Sequence, residues 1–234
     1  MVHGSTTMSR FLRFIFSFLL ITSCMPLFAQ DKQNSSEKIN PLYDPIPVVL
    51  RLSYDNFKNI KLLYTAIINY GGGPSEFDRL VDGYSEASAL YFSHEYRKAA
   101  DAFTKNEKDI REVAIKLSAK YKEDTAGLNK AIISHNVKLR VRQSVEGKKA
   151  TDAMLSAEKL IGQSSEALAK GNDFDVRVRP VQAIQLYRRS KDQSIQYYKV
   201  LGVKEVDGQK IDDRFEREKA DNVNKVYVAK EKKN

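Results

Sequence analysis

The chain has 234 residues, of which 39 are lysine or arginine and 30 are aspartate or glutamate, and its formal net charge is +9. Its single cysteine excludes a disulfide bond within the chain. A cationic excess of this size suits anionic partners, namely nucleic acid, lipid headgroups or an acidic protein surface.

Residues 1–29 have the composition of a targeting segment. Arg10 and Arg13 precede an apolar run over residues 14–21, and small or polar residues follow that run. The run is shorter than the roughly 20 apolar residues that a membrane-spanning helix needs. We therefore predict a signal peptide and an exported chain.

Two cleavage sites are compatible with this segment. The sequence ITSC, which ends at Cys24, fits the lipobox of a bacterial lipoprotein, whereas PLFA, which ends at Ala29, fits a signal peptidase I site. Residues that follow a lipidated cysteine usually form a polar tether, and here they are apolar. We therefore favour cleavage between Ala29 and Gln30. Lipidation of Cys24 is the alternative, and it would tether the chain to a membrane.

Cleavage after Ala29 would leave 205 residues, no cysteine and a net charge of +7, because Arg10 and Arg13 would be removed. That length suffices for one domain, or two small ones, with a hydrophobic core. Nucleic acid is the least accessible anionic partner of an exported protein. We therefore predict a periplasmic protein with protein partners and no nucleic acid, associated with the outer membrane if it is lipidated.

Residues 30–46 are polar and contain prolines, which predicts an extended linker or arm. Apolar residues then recur every three or four positions and predict a helix over residues 47–70. The following Gly-Gly-Gly-Pro sequence ends that helix. Ser75 is expected to cap the next helix, with Asp78 three residues further on.

The residues from Tyr84 to Phe103 carry two apolar faces on either side of a short polar break at residues 93–95, which predicts a helix hairpin. This segment resembles the tetratricopeptide pattern, in which a small residue, Leu-Tyr and then Tyr-x-x-Ala-x-x-x-Phe mark the packed faces of two antiparallel helices. The residues that carry the hairpin packing are Ala87, Leu90, Tyr91, Tyr96, Ala99 and Phe103.

The pattern after Tyr96 continues as an amphipathic helix to Tyr121. Residues 122–124 then predict a polar turn, with Thr125 as the N-cap of a new helix. Residues 126–170 contain no proline and predict one long helix, whose bend or break is expected at Glu146-Gly147-Lys148. Basic residues in the middle of its apolar seam indicate an elongated arrangement rather than a clean coiled coil.

Residues 171–180 combine a glycine, an Asn-Asp turn and a Val-Arg-Val-Arg alternation, which predicts a short extended segment before the next helix. That helix is expected to run from Val181 to Leu201. A turn over residues 203–208 and a final helix from Ile211, with Val223, Val226 and Tyr227 on its apolar side, complete the chain. The fold class is therefore all-α, an elongated array of about six helices over residues 47–234.

No residue pattern for catalysis, metal binding or cofactor binding is present in the sequence. Neither HExxH, a cysteine pair nor a nucleophile elbow occurs. His94 is expected in the hairpin turn, and His135 is expected to pair helices. The carboxylates Asp212, Asp213 and Glu216 at a helix start are explained by the helix dipole.

The strongest local charge bias lies between residues 177 and 199. A solvated surface explains such a cluster in most proteins, and a docking site for an acidic partner is the alternative. The candidate partner-binding residues are Arg177, Arg179, Arg188 and Arg189.

The signal ending PLFAQ, the tyrosine-rich hairpin YSEASALYF…EYRKAADAF and the long helices together resemble the periplasmic flagellar coiling proteins that coat spirochaete filaments. This resemblance implies a non-enzymatic sheath component that binds the filament or neighbouring sheath subunits. Two alternatives are a membrane-tethered lipoprotein and a tetratricopeptide-like peptide-binding or chaperone module, which would use the face of residues 84–103.

Overall fold

The computed structural model describes residues 44–71 and 73–228, so the predicted signal peptide, both cleavage alternatives at Cys24 and Ala29–Gln30, and residues 30–43 of the predicted arm lie outside it. The all-α class with about six helices is confirmed. The described elements are α1 Pro45–Tyr70, α2 Pro74–Phe92, α3 Tyr96–Val145, α4 Asp152–Val176, α5 Pro180–Val200, β1 Glu205–Val206, β2 Gln209–Lys210, α6 Ile211–Arg214 and α7 Glu216–Asn222.

Helix α1 begins two residues before its predicted start. The Asp44 carboxylate accepts a hydrogen bond from the Ile46 amide at 2.9 Å, and Pro45 occupies the first turn, where its missing N–H costs nothing. The assignment of Pro45 and Ile46 to an extended arm was therefore wrong, because an aspartate cap followed by proline starts a helix.

Helix α2 starts without the predicted serine cap. Gly73 stands at the N-cap with a φ of 89°, which a residue with a side chain rarely adopts, and Pro74 fixes the first helical turn. Ser75 therefore lies inside the helix and caps nothing. The turn between α2 and α3 is at residues 93–95, as predicted, and His94 lies in it with a φ of 63°.

Helix α3 is continuous over 50 residues and passes through the turn predicted at residues 122–125. Thr125 does not cap a new helix, because its hydroxyl donates to the carbonyl of Tyr121 within the helix. The predicted break is at the right place, since α3 ends at Val145 and Gly147 has a φ of 65°. Residues 126–170, whose continuity the sequence left open, are therefore divided between α3 and α4.

Helix α4 continues through Gly171 to Val176, so the predicted extended segment at residues 171–180 was also wrong. Gly171 is required by packing, because a Cβ there would lie 2.5 Å from the Tyr187 ring. The turn comes later, at Val178, whose φ is 62°, and the amide of Arg179 donates to the carbonyl of Phe174 at 2.9 Å.

The C-terminal segment is less helical than predicted. Strands β1 and β2 pair antiparallel where a turn was expected, and the last helix ends at Asn222. Beyond it Asn69 holds the backbone, accepting from the Tyr227 amide at 2.7 Å and donating to the Lys225 carbonyl at 3.0 Å. This contact replaces the helical hydrogen bonds that the predicted helix would have made.

Helix α3 is shared by two bundles of three helices. Helices α1 and α2 pack against its N-terminal part, and α4 and α5 pack against it further along, through contacts such as Ser118 with Asp175 and Asn129 with Ser164. In the first bundle Asn56 of α1 donates to Asn106 of α3 at 3.2 Å, and Asn106 donates to the Leu80 carbonyl of α2 at 2.9 Å.

The second bundle is held partly by small polar side chains. The hydroxyl of Ser164 on α4 lies 2.9 Å from that of Ser190 and 2.9 Å from that of Ser194, both on α5. Asn129 of α3 also donates to Ser164, at 2.9 Å. Side chains of this size allow the helices to approach closely, and the hydrogen bonds satisfy the buried hydroxyl groups.

Candidate functional site

The predicted hairpin residues lie in the core of the first bundle. Ala87 and Ala99 are fully buried, and the Phe103 ring packs against Tyr84 with 5.5 Å between the ring centroids. Leu90, Tyr91 and Tyr96 are half-buried, and the rings of the two tyrosines are 5.6 Å apart. Helix α1 covers this face, since Asn56 donates to the Phe103 carbonyl at 2.8 Å. A peptide could reach it only if α1 moved.

The four candidate arginines do not form one surface. Arg177 and Arg179 are exposed in the turn between α4 and α5, and Arg177 pairs with Asp173 at 3.2 Å. Arg189 is exposed on α5, whereas its neighbour Arg188 is 4% exposed. The inclusion of Arg188 in a solvent-facing patch was therefore wrong, because the helical turn that exposes Arg189 directs Arg188 into the protein.

Arg188 is at the centre of a buried polar junction between four helices. Its guanidinium donates to both carboxylate oxygens of Asp221 on α7, at 2.7 and 2.8 Å. It also donates to the Thr65 hydroxyl of α1 at 2.9 Å, and the Tyr121 hydroxyl of α3 donates to the same Asp221. Two-point contacts of this kind fix the geometry of both partners. The junction therefore connects the two bundles to the C-terminal segment.

Lys191 is a second buried cation in the junction. Its ammonium lies 4.3 Å from the centroid of the Tyr70 ring and 4.4 Å from that of Tyr121, and it is 3.6 Å from Asp124. Burial lowers the pKa of Lys191, and the nearby carboxylate of Asp124 opposes this shift. The two aromatic faces and the carboxylate together stabilise the charged form.

The junction tyrosines are held in their neutral form. Burial raises the pKa of Tyr70, with the charge of Glu218 as a further cause, and burial also raises the pKa of Tyr121. Protonated phenols donate hydrogen bonds and do not act as bases. The side chains of the junction contact one another, and these contacts fix the orientation of the helices that carry them.

An exposed apolar stripe follows the outer side of α3 in the second bundle. We define the α3 stripe as four residues at intervals of four: Ile133, Val137, Val141 and Val145, which are 40%, 55%, 58% and 82% exposed. The opposite side of α3 packs through Ile132, which is fully buried, and through His135, whose ring lies 2.9 Å from the Tyr197 hydroxyl. Residues at this interval share one helix face, so the stripe is continuous.

The margin of the α3 stripe is basic. Lys130, Lys138 and Arg142 are exposed beside it, and residues 130–145 include no acidic residue. These three cations form no ion pair within the described residues. The stripe therefore combines exposed apolar area with an unneutralised positive margin, a combination typical of contact surfaces.

An acidic row lies on the outer side of α2 in the first bundle. We define the α2 row as Asp78, Asp82 and Glu86, which are exposed and also spaced at intervals of four. The row borders a groove of about 610 Å³ between α2 and α3. The nearby cation Arg79 is engaged by Asp109 of α3 at 3.2 Å, whereas the described residues supply no ion pair to the row itself.

Comparison of the chain with protein-family models, with curated proteins and with solved structures gave no match. None of the helices in residues 44–71 and 73–228 is both long and apolar enough to cross a membrane. Within these same residues, no group of three or more histidine, cysteine, aspartate or glutamate side chains is placed to hold a metal ion.

Neither the α3 stripe nor the junction was predicted from the sequence. The stripe has a detectable signal, namely an apolar residue at every fourth position between lysines and arginines from Ile133 to Val145. The junction has none, since nothing local distinguishes Asp221 or Lys191 from the exposed charged residues around them. Their partners, such as Arg188 and Tyr121, are distant in the sequence.

Proposed function

We propose that this chain is a non-enzymatic, exported structural protein that works by binding other protein subunits. The observation that carries the proposal is the α3 stripe, an apolar helix face that the rest of the described chain leaves uncovered. Large apolar side chains in a continuous exposed row are commonly covered by a partner in the functional assembly. The basic margin of the stripe favours a partner surface with acidic residues.

The junction supports a structural role. Its charged groups, including Arg188, Asp221 and Lys191, are paired with each other and with tyrosines. Such pairing fixes the orientation of α1, α3, α5 and α7, which is useful in a subunit whose surfaces must meet those of its neighbours.

The finer proposal is that the chain belongs to the sheath of a periplasmic flagellar filament. It rests on the signal-like segment, the tyrosine-rich hairpin and the long helices, which resemble the flagellar coiling proteins. In this proposal the partners are filament subunits or neighbouring sheath subunits. Lipidation at Cys24 would add a membrane anchor.

Fractionation of the native cells tests this proposal. We expect the chain in the periplasmic fraction, co-sedimenting with isolated flagellar filaments. Replacing Val137 and Val141 by aspartate should abolish co-sedimentation, whereas Val223→Asp, at an exposed valine outside the stripe, should not. A cytosolic chain, or a periplasmic chain that never accompanies filaments, would contradict the sheath proposal.

A further inference from the structure

The basic margin of the α3 stripe and the acidic α2 row have opposite charges, and pairs of residues in the two have the same spacing. Lys138 and Arg142 are four residues apart, as are Asp78 and Asp82, and Lys130 and Lys138 span the same eight residues as Asp78 and Glu86. At the rise of an α-helix that common span is about 12 Å. Two helices laid side by side could therefore bring Lys130 and Lys138 close to Asp78 and Glu86.

We propose that the α3 stripe of one copy binds the α2 row of a second copy, so that subunits associate head to tail. This inference rests on the proposed structural function and names the partner surface. The apolar side chains of the stripe would lie over the groove beside α2, which the small residues Ser75 and Gly83 help to line. Lys130 and Lys138 would then face Asp78 and Glu86 of the row.

The contact cannot form within one copy. The α2 row lies beside the N-terminal half of α3, where Asn106 donates to the Leu80 carbonyl, whereas the stripe is on the C-terminal half of the same helix. Because α3 is continuous, Asn106 and Lys138 are about 48 Å apart at the helical rise. The stripe must therefore meet the row of another molecule.

Two different surfaces in contact make the interface heterologous. Such a contact leaves one free stripe and one free row at the ends of every oligomer, so it generates rings or open-ended fibres rather than closed dimers. The cations and carboxylates also exclude the alternative pairings of stripe with stripe and row with row, in which like charges would oppose each other.

A charge-swap experiment on the purified chain tests the proposal. The stripe variant carries Lys130→Glu and Lys138→Glu, and the row variant carries Asp78→Lys and Glu86→Lys, the two positions with the same spacing. Sedimentation velocity over a range of concentrations should show association of the native chain that weakens with salt. Each variant alone should associate at least about tenfold more weakly, because like charges then face each other.

The equimolar mixture of the two variants is the decisive sample. Every contact between unlike variants again joins opposite charges, so association should return to the native level. Val137→Asp with Val141→Asp should also prevent association, and Arg189→Glu, at an exposed arginine of α5, should leave it unchanged. Circular dichroism should give the native helical signal for all variants.

Two results would overturn this inference. The first is a native chain that is monomeric at all concentrations, whether or not its stripe binds vesicles of anionic lipid instead. The second is association that the row variant does not weaken. If the chain still co-sediments with filaments while failing to self-associate, the proposed function stands and the head-to-tail contact is wrong.

Discussion

Arg188 on α5 and Asp221 on α7 form an ion pair through two hydrogen bonds, of 2.7 and 2.8 Å, in which both side chains are buried. Each charge is satisfied only by groups from other helices. The stability of the junction therefore depends on both partners together, because either one alone would be a buried charge without a counterion.

Arg188→Met should lower the free energy of unfolding by about 3–5 kcal/mol, since it leaves the Asp221 carboxylate buried and unpaired. Urea denaturation measures this change. The control is Arg189→Met, at the exposed neighbour, which should change the stability by less than about 0.5 kcal/mol. Equal effects of the two substitutions would show that Arg188 is not in a buried pair.

The double substitution Arg188→Met with Asp221→Leu should recover much of this loss. Removing both charges avoids the desolvation cost that remains when one is left, and replacing a buried pair by apolar side chains is often neutral. A double variant as unstable as the sum of the single variants would mean that Arg188 and Asp221 act independently.

Gly171→Ala should destabilise the protein by about 1–3 kcal/mol, although alanine favours helices, because the new methyl group would lie 2.5 Å from the Tyr187 ring. Gly162→Ala in the same helix has no neighbour within 4 Å and should stabilise by up to about 1 kcal/mol. Thermal melts of both variants measure the difference. Stabilisation by Gly171→Ala would show that α4 and α5 are not in close contact there.

Val178→Gly should stabilise the protein by about 1 kcal/mol. A β-branched residue at a φ of 62° is strained, and glycine adopts this conformation freely, although it also increases the entropy of the unfolded chain. Val176→Gly, inside the last turn of α4, should instead destabilise by up to about 1 kcal/mol. Midpoints of chemical denaturation should move in opposite directions for the two variants.

Stability should decrease in mild acid because of His135. Burial lowers the pKa of His135, and the charges of Lys138 and Arg142 lower it further. The unfolded chain then binds the proton more strongly than the folded chain, so this contribution is complete above the unfolded pKa of about 6.5 and is lost as the pH falls towards the folded pKa.

Measuring the melting temperature from neutral to mildly acidic pH tests this effect. His135→Gln should flatten the decrease, and Ser134→Ala, at an exposed neighbour, should reproduce the native profile. A native-like acid decrease in the His135→Gln variant would assign the effect to other groups.

Helical periodicity predicted the all-α class and the hairpin, and the low helix propensity of glycine predicted the break beside Gly147. It failed at two local signals. Thr125 looks like a cap, yet it lies within α3 and its hydroxyl donates to the Tyr121 carbonyl one turn earlier. Gly171 looks like a helix stop, yet it lies within α4 and packs against Tyr187. The contact with Tyr187 follows from how α4 and α5 meet, and no short segment contains it.

The candidate site was less predictable than the fold. A count of charges places Arg188 with its exposed neighbours, because composition does not tell which side of a helix is buried. The apolar residues at every fourth position from Ile133 to Val145 could have predicted the α3 stripe. The apolar seam on the opposite side of α3, however, already explained why this segment is helical. Nothing in the sequence singles out the α2 row by itself. Its carboxylates become notable only as the complement of the cations beside the α3 stripe, and the two sets of charges lie in separate bundles.

The continuity of α3 limits how the length of this protein can change during evolution. One residue inserted between Tyr121 and Ile132 would turn everything beyond it by about 100° and advance it by about 1.5 Å. Helices α4 and α5, which pack on the far part of α3, would then be displaced relative to α1. Arg188 would lose its hydrogen bond to the Thr65 hydroxyl. Insertions of three or four residues come closer to a whole turn, whereas the connection at residues 146–151 tolerates any length. Homologues should therefore differ in length at that connection and not within α3.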